Sequence, residues 1–363
     1  MPDLSIVVPT HRRPEQLARC LEHVAAQRAL AEVAAVIVVQ DGADPAVDRV
    51  LDASGLGPRL VRLAHERVRG PAAARNLGVA QVRTRATLLL HDDVLLAPDA
   101  IGALVAAGLP IDVGQPSLLG HLTWRPDEGV SPFMYWQEHC GGSPPLDALP
   151  ASGEGHWRRY GTSMVVTATA LLQSHRFDER FRAAGYEDME LGYRLEHAVR
   201  HRIRPVRGAV GWHLQRVSLV DWLARMPAFA DAACRFATVA AADPSVADAI
   251  GVTAAQAVDR FVWRDLELAA TLTGALEPTV PIPPGATAVY GQLWEWECLA
   301  TAYRMLQHFF FLSTVRATLG LPAATAVDAA LTANEAQVLL LERFARRARH
   351  TRAAGAPHEG EHA

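Results

Sequence analysis

The residues best suited to chemistry gather in Leu88-Leu89-Leu90-His91-Asp92-Asp93-Val94, where three aliphatic side chains run straight into two adjacent carboxylates. An apolar run this short, bounded by polar residues, reads as a buried strand of a parallel sheet. Its acids then stand at the strand's carboxyl end, the edge where open α/β sheets bind ligands. Neighbouring carboxylates repel unless a cation lies between them, and hard oxygen donors suit Mg²⁺ or Mn²⁺. One reading is therefore a metal site that receives a diphosphate. The other is a solvated strand end ahead of a helix that starts at Pro98-Asp99. This stretch alone leaves both open.

Other polar residues occupy comparable places. Asp41-Gly42 follows the apolar run Val36-Ile37-Val38-Val39, as a simple turn or as a carboxylate placed for a base or ribose. Arg75 and Asn76 begin a helix after Gly70-Pro71, and Arg75 reads equally as a surface arginine with its stem packed down. Glu187-Asp188 precede Leu191 and Leu195 at helical spacing, which puts both acids in a helix's first turn. Acids there complement the helix dipole and need no catalytic reason. His213 closes Val210-Gly211-Trp212, and a lone histidine is most often structural.

The elements that must position these groups alternate regularly. Residues 4 to 9 form a β-branched strand, and Pro14 opens an amphipathic helix with Leu17, Leu21 and Val24 on one face. Strands over 36–39, 60–63 and 86–90 and a helix over 71–82 follow, so a mostly parallel sheet is expected. The fingerprint Gly-x-Gly-x-x-Gly is missing after the first strand, which favours a nucleotide held through a metal over an NAD site. Residues 118–124 and 163–166 read as further strands. Between them lies an irregular, aromatic stretch of the kind that forms lids and binding loops, with Trp124, Phe133, Tyr135, Trp136, Trp157, Pro144-Pro145 and Gly153 to Gly155. From residue 218 the chain turns alanine-rich and amphipathic and predicts about four helices. Trp294, Trp296, Tyr303, Phe309, Phe310 and Phe311 fit the core of a bundle, with self-association or acceptor binding as the alternative. Arg343 to Arg352 read as a solvated helix end, and the tail after Ala353 as disordered.

Composition removes several classes. The chain has 363 residues, half of them hydrophobic, and 35 basic against 39 acidic side chains, so it carries no electrostatic footprint for nucleic acid. Every basic residue is arginine, which excludes a lysine nucleophile or Schiff base. Cys20, Cys140, Cys234 and Cys298 show neither zinc nor disulfide spacing and read as free thiols. Neither a signal peptide nor an apolar run of about 18 residues is evident, so a cytoplasmic protein without a membrane span is expected.

Taken in order, Ser5-Ile6-Val7-Val8-Pro9-Thr10, Val39-Gln40-Asp41-Gly42-Ala43-Asp44, Ala74-Arg75-Asn76-Leu77-Gly78, Leu90-His91-Asp92-Asp93-Val94 and Gly185-Tyr186-Glu187-Asp188-Met189-Glu190-Leu191-Gly192-Tyr193-Arg194-Leu195 resemble the family 2 glycosyltransferases, whose fold is the nucleotide-sugar-binding GT-A type. The resemblance covers residues 3 to 215. It implies a mixed, mostly parallel sheet flanked by helices over 1–217, followed by an all-α domain over 218–350 and a tail over 351–363. It implies a metal-dependent transferase that moves a sugar from a UDP-, GDP- or dTDP-sugar to a hydroxyl of a small-molecule, glycan or natural-product acceptor, with inversion. Asp188, with Glu187 beside it, would be the catalytic base. Pro9, Thr10, Asp41, Arg75 and Asp92 would bind the nucleotide sugar, and Asp93 and His213 would hold Mn²⁺ or Mg²⁺. Two positions depart from the family: His91 and Gln40 stand where it has acids. The rival readings are a retaining transferase and a catalytically weak carbohydrate- or nucleotide-binding scaffold. A sugar nucleotidyltransferase is disfavoured, since Pro9-Thr10-His11-Arg12-Arg13 lacks glycine and the chain lacks lysine.

Overall fold

The computed structural model describes residues 2–125, 129–141, 156–214, 216–279 and 290–354. The chain divides into two compact units, Met1–Val130 with Gln137–Arg216, and Ser131–Trp136 with Val217–Ala363. Pro144-Pro145, Gly153 to Gly155, Pro281 to Pro284 and the tail from residue 355 lie outside the described residues.

The first unit runs β1 (Leu4–Thr10), α1 (Pro14–Ala25), β2 (Val33–Gln40), α2 (Pro45–Ala53), β3 (Leu60–Ala64), α3 (Pro71–Gln81), β4 (Ala86–Leu90), β5 (Val94–Leu96), α4 (Ala100–Ala106) and β6 (Ser117–Trp124). After α5 (Pro132–Trp136), which belongs to the second unit, it continues with β7 (Met164–Ala168), α6 (Thr169–Ser174), α7 (Glu187–Val199) and β8 (Ile203–His213). Eight strands form one sheet in the order β3-β2-β1-β4-β7-β6-β8-β5.

Strand β4 is buried throughout, because helices cover both faces of the sheet. Alternate side chains feed two cores. Leu4, Ile6 and Val8 of β1 pack with Leu17, Leu21 and Val24 of α1, while Val7 packs with Ile37, Val39 and the α3 residues Ala72, Ala74 and Val79. Truncating one such leucine to alanine would cost about 2–5 kcal/mol.

Pairing directions bring the polar strand ends to one edge. Strands β1, β2 and β4 are mutually parallel, β7 is antiparallel to β4, β6 is antiparallel to β7, and β8 is parallel to β6. Strand β8 therefore runs with β4, and its last residue, His213, pairs with Val94 of the short β5 strand directly after the acids.

The second unit contains α5, α8 (Leu219–Val239), α9 (Pro244–Ala249), α10 (Val252–Ala257), α11 (Trp263–Leu276), α12 (Tyr290–Thr318) and α13 (Ala333–Ala354). The all-α expectation needs one addition, a ribbon of β9 (Arg260–Val262), β10 (Thr325–Val327) and β11 (Leu331–Thr332), strands too short to give a period in sequence. Trp296, Tyr303, Phe309 and Phe310 are buried, whereas Trp294 is exposed. Aromatics expected in a loop instead form α5, where Phe133 meets Tyr303 edge-on and Trp136 meets it at a tilt, at centroid distances of 5.0 and 5.5 Å. Among the described residues no helix is long and apolar enough to cross a membrane, and no disulfide joins the cysteines.

Candidate active site

Strand β4 delivers Asp92 and Asp93 to the sheet edge nearly buried, at 4% and 3% exposure. Carboxylates this deep need partners. The hydroxyl of Thr10, the last residue of β1, donates to Asp92 Oδ2 at 2.7 Å. Arg13, which precedes α1, spans the pair, donating from Nη1 to Asp92 Oδ1 at 2.9 Å and from Nη2 to Asp93 Oδ2 at 2.6 Å. One oxygen remains: Asp93 Oδ1 is buried without a hydrogen-bond partner among the described residues. His213 Nε2 stands 4.0 Å from it, its ring tilted against Trp124 with centroids 5.2 Å apart. A carboxylate oxygen is a hard donor of the kind that suits Mn²⁺ and Mg²⁺, and among the described residues no cluster of three or more His, Cys, Asp or Glu side chains forms a metal cage by itself. Burial, with Asp93 alongside, pushes Asp92 up to about 6 in spite of Arg13. Burial acts to raise Asp93 too, but its interactions with His213, His91 and Arg13 outweigh it and leave its pKa below the ordinary value.

Asp41, expected on the nucleoside, is spent on the chain itself. Its Oδ1 accepts from Arg69 N at 2.7 Å and from His65 Nδ1 at 3.0 Å, and its Oδ2 accepts from Gly70 N at 2.8 Å. Together these bonds hold its pKa low against burial. They fix the turn between β3 and α3, whose Gly70 has φ 99° and no room for a side chain, since a Cβ would lie 2.5 Å from Arg182 O. Gln40, where the family has an acid, builds the next turn by donating to Asp48 at 2.7 Å and accepting from Asp44 N at 3.0 Å.

Arg75, expected on the phosphates, is instead buried within α3. Its Nη1 donates to Glu187 Oε1 at 2.8 Å, Phe177 lies under the guanidinium at 5.5 Å, and its Nη2 lies 3.1 Å from His91 Nε2. Burial and the Arg75 charge lower His91 to about 4, so the neutral ring accepts a hydrogen bond from Arg75 at Nε2, which assigns its own proton to Nδ1. The departure at His91 thus supplies an uncharged acceptor where an acid would have brought a third charge.

Glu187 Oε2 also accepts from Gly185 N at 2.7 Å, so both of its oxygens are taken by the chain. Asp188 differs. Its Oδ1 accepts from Met189 N at 2.8 Å, and among the described residues its Oδ2 accepts a long bond of 3.3 Å from Thr162 N. Burial and then the Glu187 charge push its pKa up to about 6. The turn that presents these acids is strained, with Tyr186 at φ 63°, and Arg12, which precedes Arg13 in the chain, has φ 51°.

The sheet edge therefore unites Thr10, Asp92, Asp93 and His213, and Arg75 ties Glu187 to His91. Pro9 serves the β1–β2 ladder opposite Val39. Sequence reasoning missed Arg13, since an arginine in a polar loop gives no sign of its partner 80 positions away.

The family model for glycosyl transferase family 2 matches residues 5–107. Succinoglycan biosynthesis protein ExoO of Rhizobium meliloti (strain 1021) is 26% identical over 230 residues, 60% of this chain and 63% of that protein. Pre-mycofactocin glycosyltransferase of Mycobacterium tuberculosis is 27% identical over 230 residues, 61% of this chain and 45% of its own length. The chain thus spans less than two thirds of these curated relatives. The structure of mannosyltransferase PcManGT from Pyrobaculum calidifontis, solved in complex with GDP-Man and Mn²⁺, superposes with a TM-score of 0.55 at 15% identity, over 88% of this chain and 86% of that one. In strand order and in the gathering of polar residues at one sheet edge the first unit has the GT-A fold, and its residues 5–107 are similar to glycosyl transferase family 2.

Proposed function

We propose that this chain transfers a sugar from a nucleoside-diphosphate sugar to an acceptor hydroxyl, with inversion at the anomeric carbon and Asp188 as the base. The observation that carries the reading is the contrast within the acid pair. Glu187 has both oxygens committed, while Asp188 keeps a weakly bonded oxygen on a carboxyl raised to about 6. A base poised just below neutral pH is ionised in use yet still basic enough to take an acceptor proton. Asp93 and His213 would hold a divalent cation, which when bound neutralises charge on the departing diphosphate. Thr10 and Asp92 frame the diphosphate side. Asp41 shapes the turn that borders the nucleoside, and Arg75 positions the helix that carries Asp188. The GDP-Man and Mn²⁺ of the mannosyltransferase with the same fold are ligands of the class proposed.

The test is nucleoside diphosphate release from UDP-, GDP- and dTDP-sugars with Mn²⁺ or Mg²⁺, alongside calorimetric binding of each nucleotide. Release from one donor class, with the transferred sugar's anomeric configuration reversed by NMR, is expected. A protein that binds a donor but never turns it over would be a scaffold. Retained configuration would remove Asp188 as the base of a direct displacement.

A further inference from the structure

Arg13 lies over the carboxylate pair from the solvent side: its side chain is 33% exposed, those of Asp92 and Asp93 only 6% and 5%. Each of its two terminal nitrogens satisfies a different carboxylate. A single guanidinium thus does for both acids what a cation between them would do. The remaining oxygen, Asp93 Oδ1, lies on the His213 side and has no hydrogen-bond partner among the described residues.

We propose that Arg13 is an internal counter-cation that competes with the divalent metal for Asp92 and Asp93, holding the empty site together and withdrawing when metal and diphosphate arrive. This rests on the metal reading of the site given above. Arg13 occupies Asp92 Oδ1 and Asp93 Oδ2 and a metal would take Asp93 Oδ1, so the two cations would crowd one carboxylate in a nearly buried place, where like charges repel strongly. Thr10 keeps its bond to Asp92 Oδ2 in either state, so the strand end does not collapse when the arginine leaves. Arg13 reaches the pair from a half-exposed position beside the first turn of α1, so its displacement requires a side-chain rotation and no unfolding. The freed guanidinium, still at the mouth of the site, then meets the diphosphate as a second donor. Metal alone binds weakly against this competitor, whereas metal and nucleotide together bind well, because the nucleotide gives Arg13 another partner.

The test measures Mn²⁺ binding directly, as loss of the free-ion signal in electron paramagnetic resonance, for the full chain and its Arg13→Gln and Arg13→Lys variants without nucleotide. Competition predicts that Arg13→Gln binds Mn²⁺ roughly tenfold or more tightly than wild type. Arg13→Lys, which keeps the charge but cannot span both acids, falls between and covers the case of a poorly folded glutamine variant. Arg13→Gln also melts lower than wild type in metal-free buffer and recovers on adding Mn²⁺. Equal or weaker Mn²⁺ affinity in both variants overturns the competition while leaving the metal reading intact. Absence of Mn²⁺ binding in all three proteins, with and without UDP or GDP, overturns both.

Discussion

The guanidinium of Arg75 donates to Glu187 Oε1 at 2.8 Å across 112 positions of sequence, with both side chains less than 5% exposed. This ion pair joins α3 to the first turn of α7 and, through His91, to the strand end that carries Asp92 and Asp93. A buried pair adds little net stability, but breaking it leaves a naked charge. Arg75→Leu should therefore lose about 3–5 kcal/mol in urea unfolding, and Glu187→Leu a similar amount. The double variant should regain much of that loss. Additive losses would show that the pair is not a unit. Because α7 carries Asp188, the double variant should fold yet transfer sugar slowly.

Asp93→Asn tests the metal. Asparagine keeps one oxygen, toward Arg13, while its NH2 replaces the oxygen facing His213, and it removes the charge that would attract a divalent cation. Nucleotide binding by wild type should weaken in EDTA, and binding by the variant should be weak with or without it. His213→Ala should show the same pattern more mildly. Equal nucleotide affinity of wild type in both buffers would take the metal out of the proposal.

How much of this was legible in sequence depended on range. The strand ends at Thr10, Asp41 and Asp93 could be read because apolar runs stop there, and β4 runs over 86–90 as its hydrophobic pattern predicts. The Glu187-Asp188 helix start was equally local, since Leu191 and Leu195 set its period. What stayed hidden was the partner of each charge. Nothing in the order of residues shows that Arg75 turns inward to Glu187, that Arg13 bridges Asp92 and Asp93, or that Asp41 spends both oxygens on His65, Arg69 and Gly70. Those bonds depend on the sheet order, and β5 at three residues is too short to announce that β8 ends beside the acids.

Gly70→Ala probes the Asp41 turn. The left-handed φ of 99° and the Arg182 carbonyl 2.5 Å from the new methyl both oppose the change, so the turn must shift or the variant unfold. A loss of about 1–3 kcal/mol is expected from backbone strain alone. Donor affinity should fall more than the transfer rate at saturation, because the turn borders the nucleoside in the proposed mode. A variant with unchanged donor affinity and melting temperature would separate this turn from the site.

Asp188→Asn addresses the chemistry. Asparagine can keep its one acceptor oxygen toward Met189 N and gives up only the long bond from Thr162 N, so most of the geometry should survive. The folded pKa, about 6, lies above the ordinary 3.8, so folding favours the protonated carboxyl. That contribution to stability is complete below about pH 4 and is lost as pH rises through 6, leaving the ionised group a burden at neutral pH. The variant should accordingly melt no lower than wild type at pH 7, with a gain on the order of 1 kcal/mol that vanishes at pH 4. Transfer should instead fall by about 10²–10⁴-fold, since a general base has been removed. In the wild type, kcat/KM should rise with pH along a limb centred near 6, where Asp188 ionises. Glu187→Gln removes the neighbouring charge that raises Asp188, so it should move this limb to lower pH. A limb that stays in place in Glu187→Gln, or an Asp188→Asn protein that transfers sugar at the wild-type rate, would assign the base elsewhere.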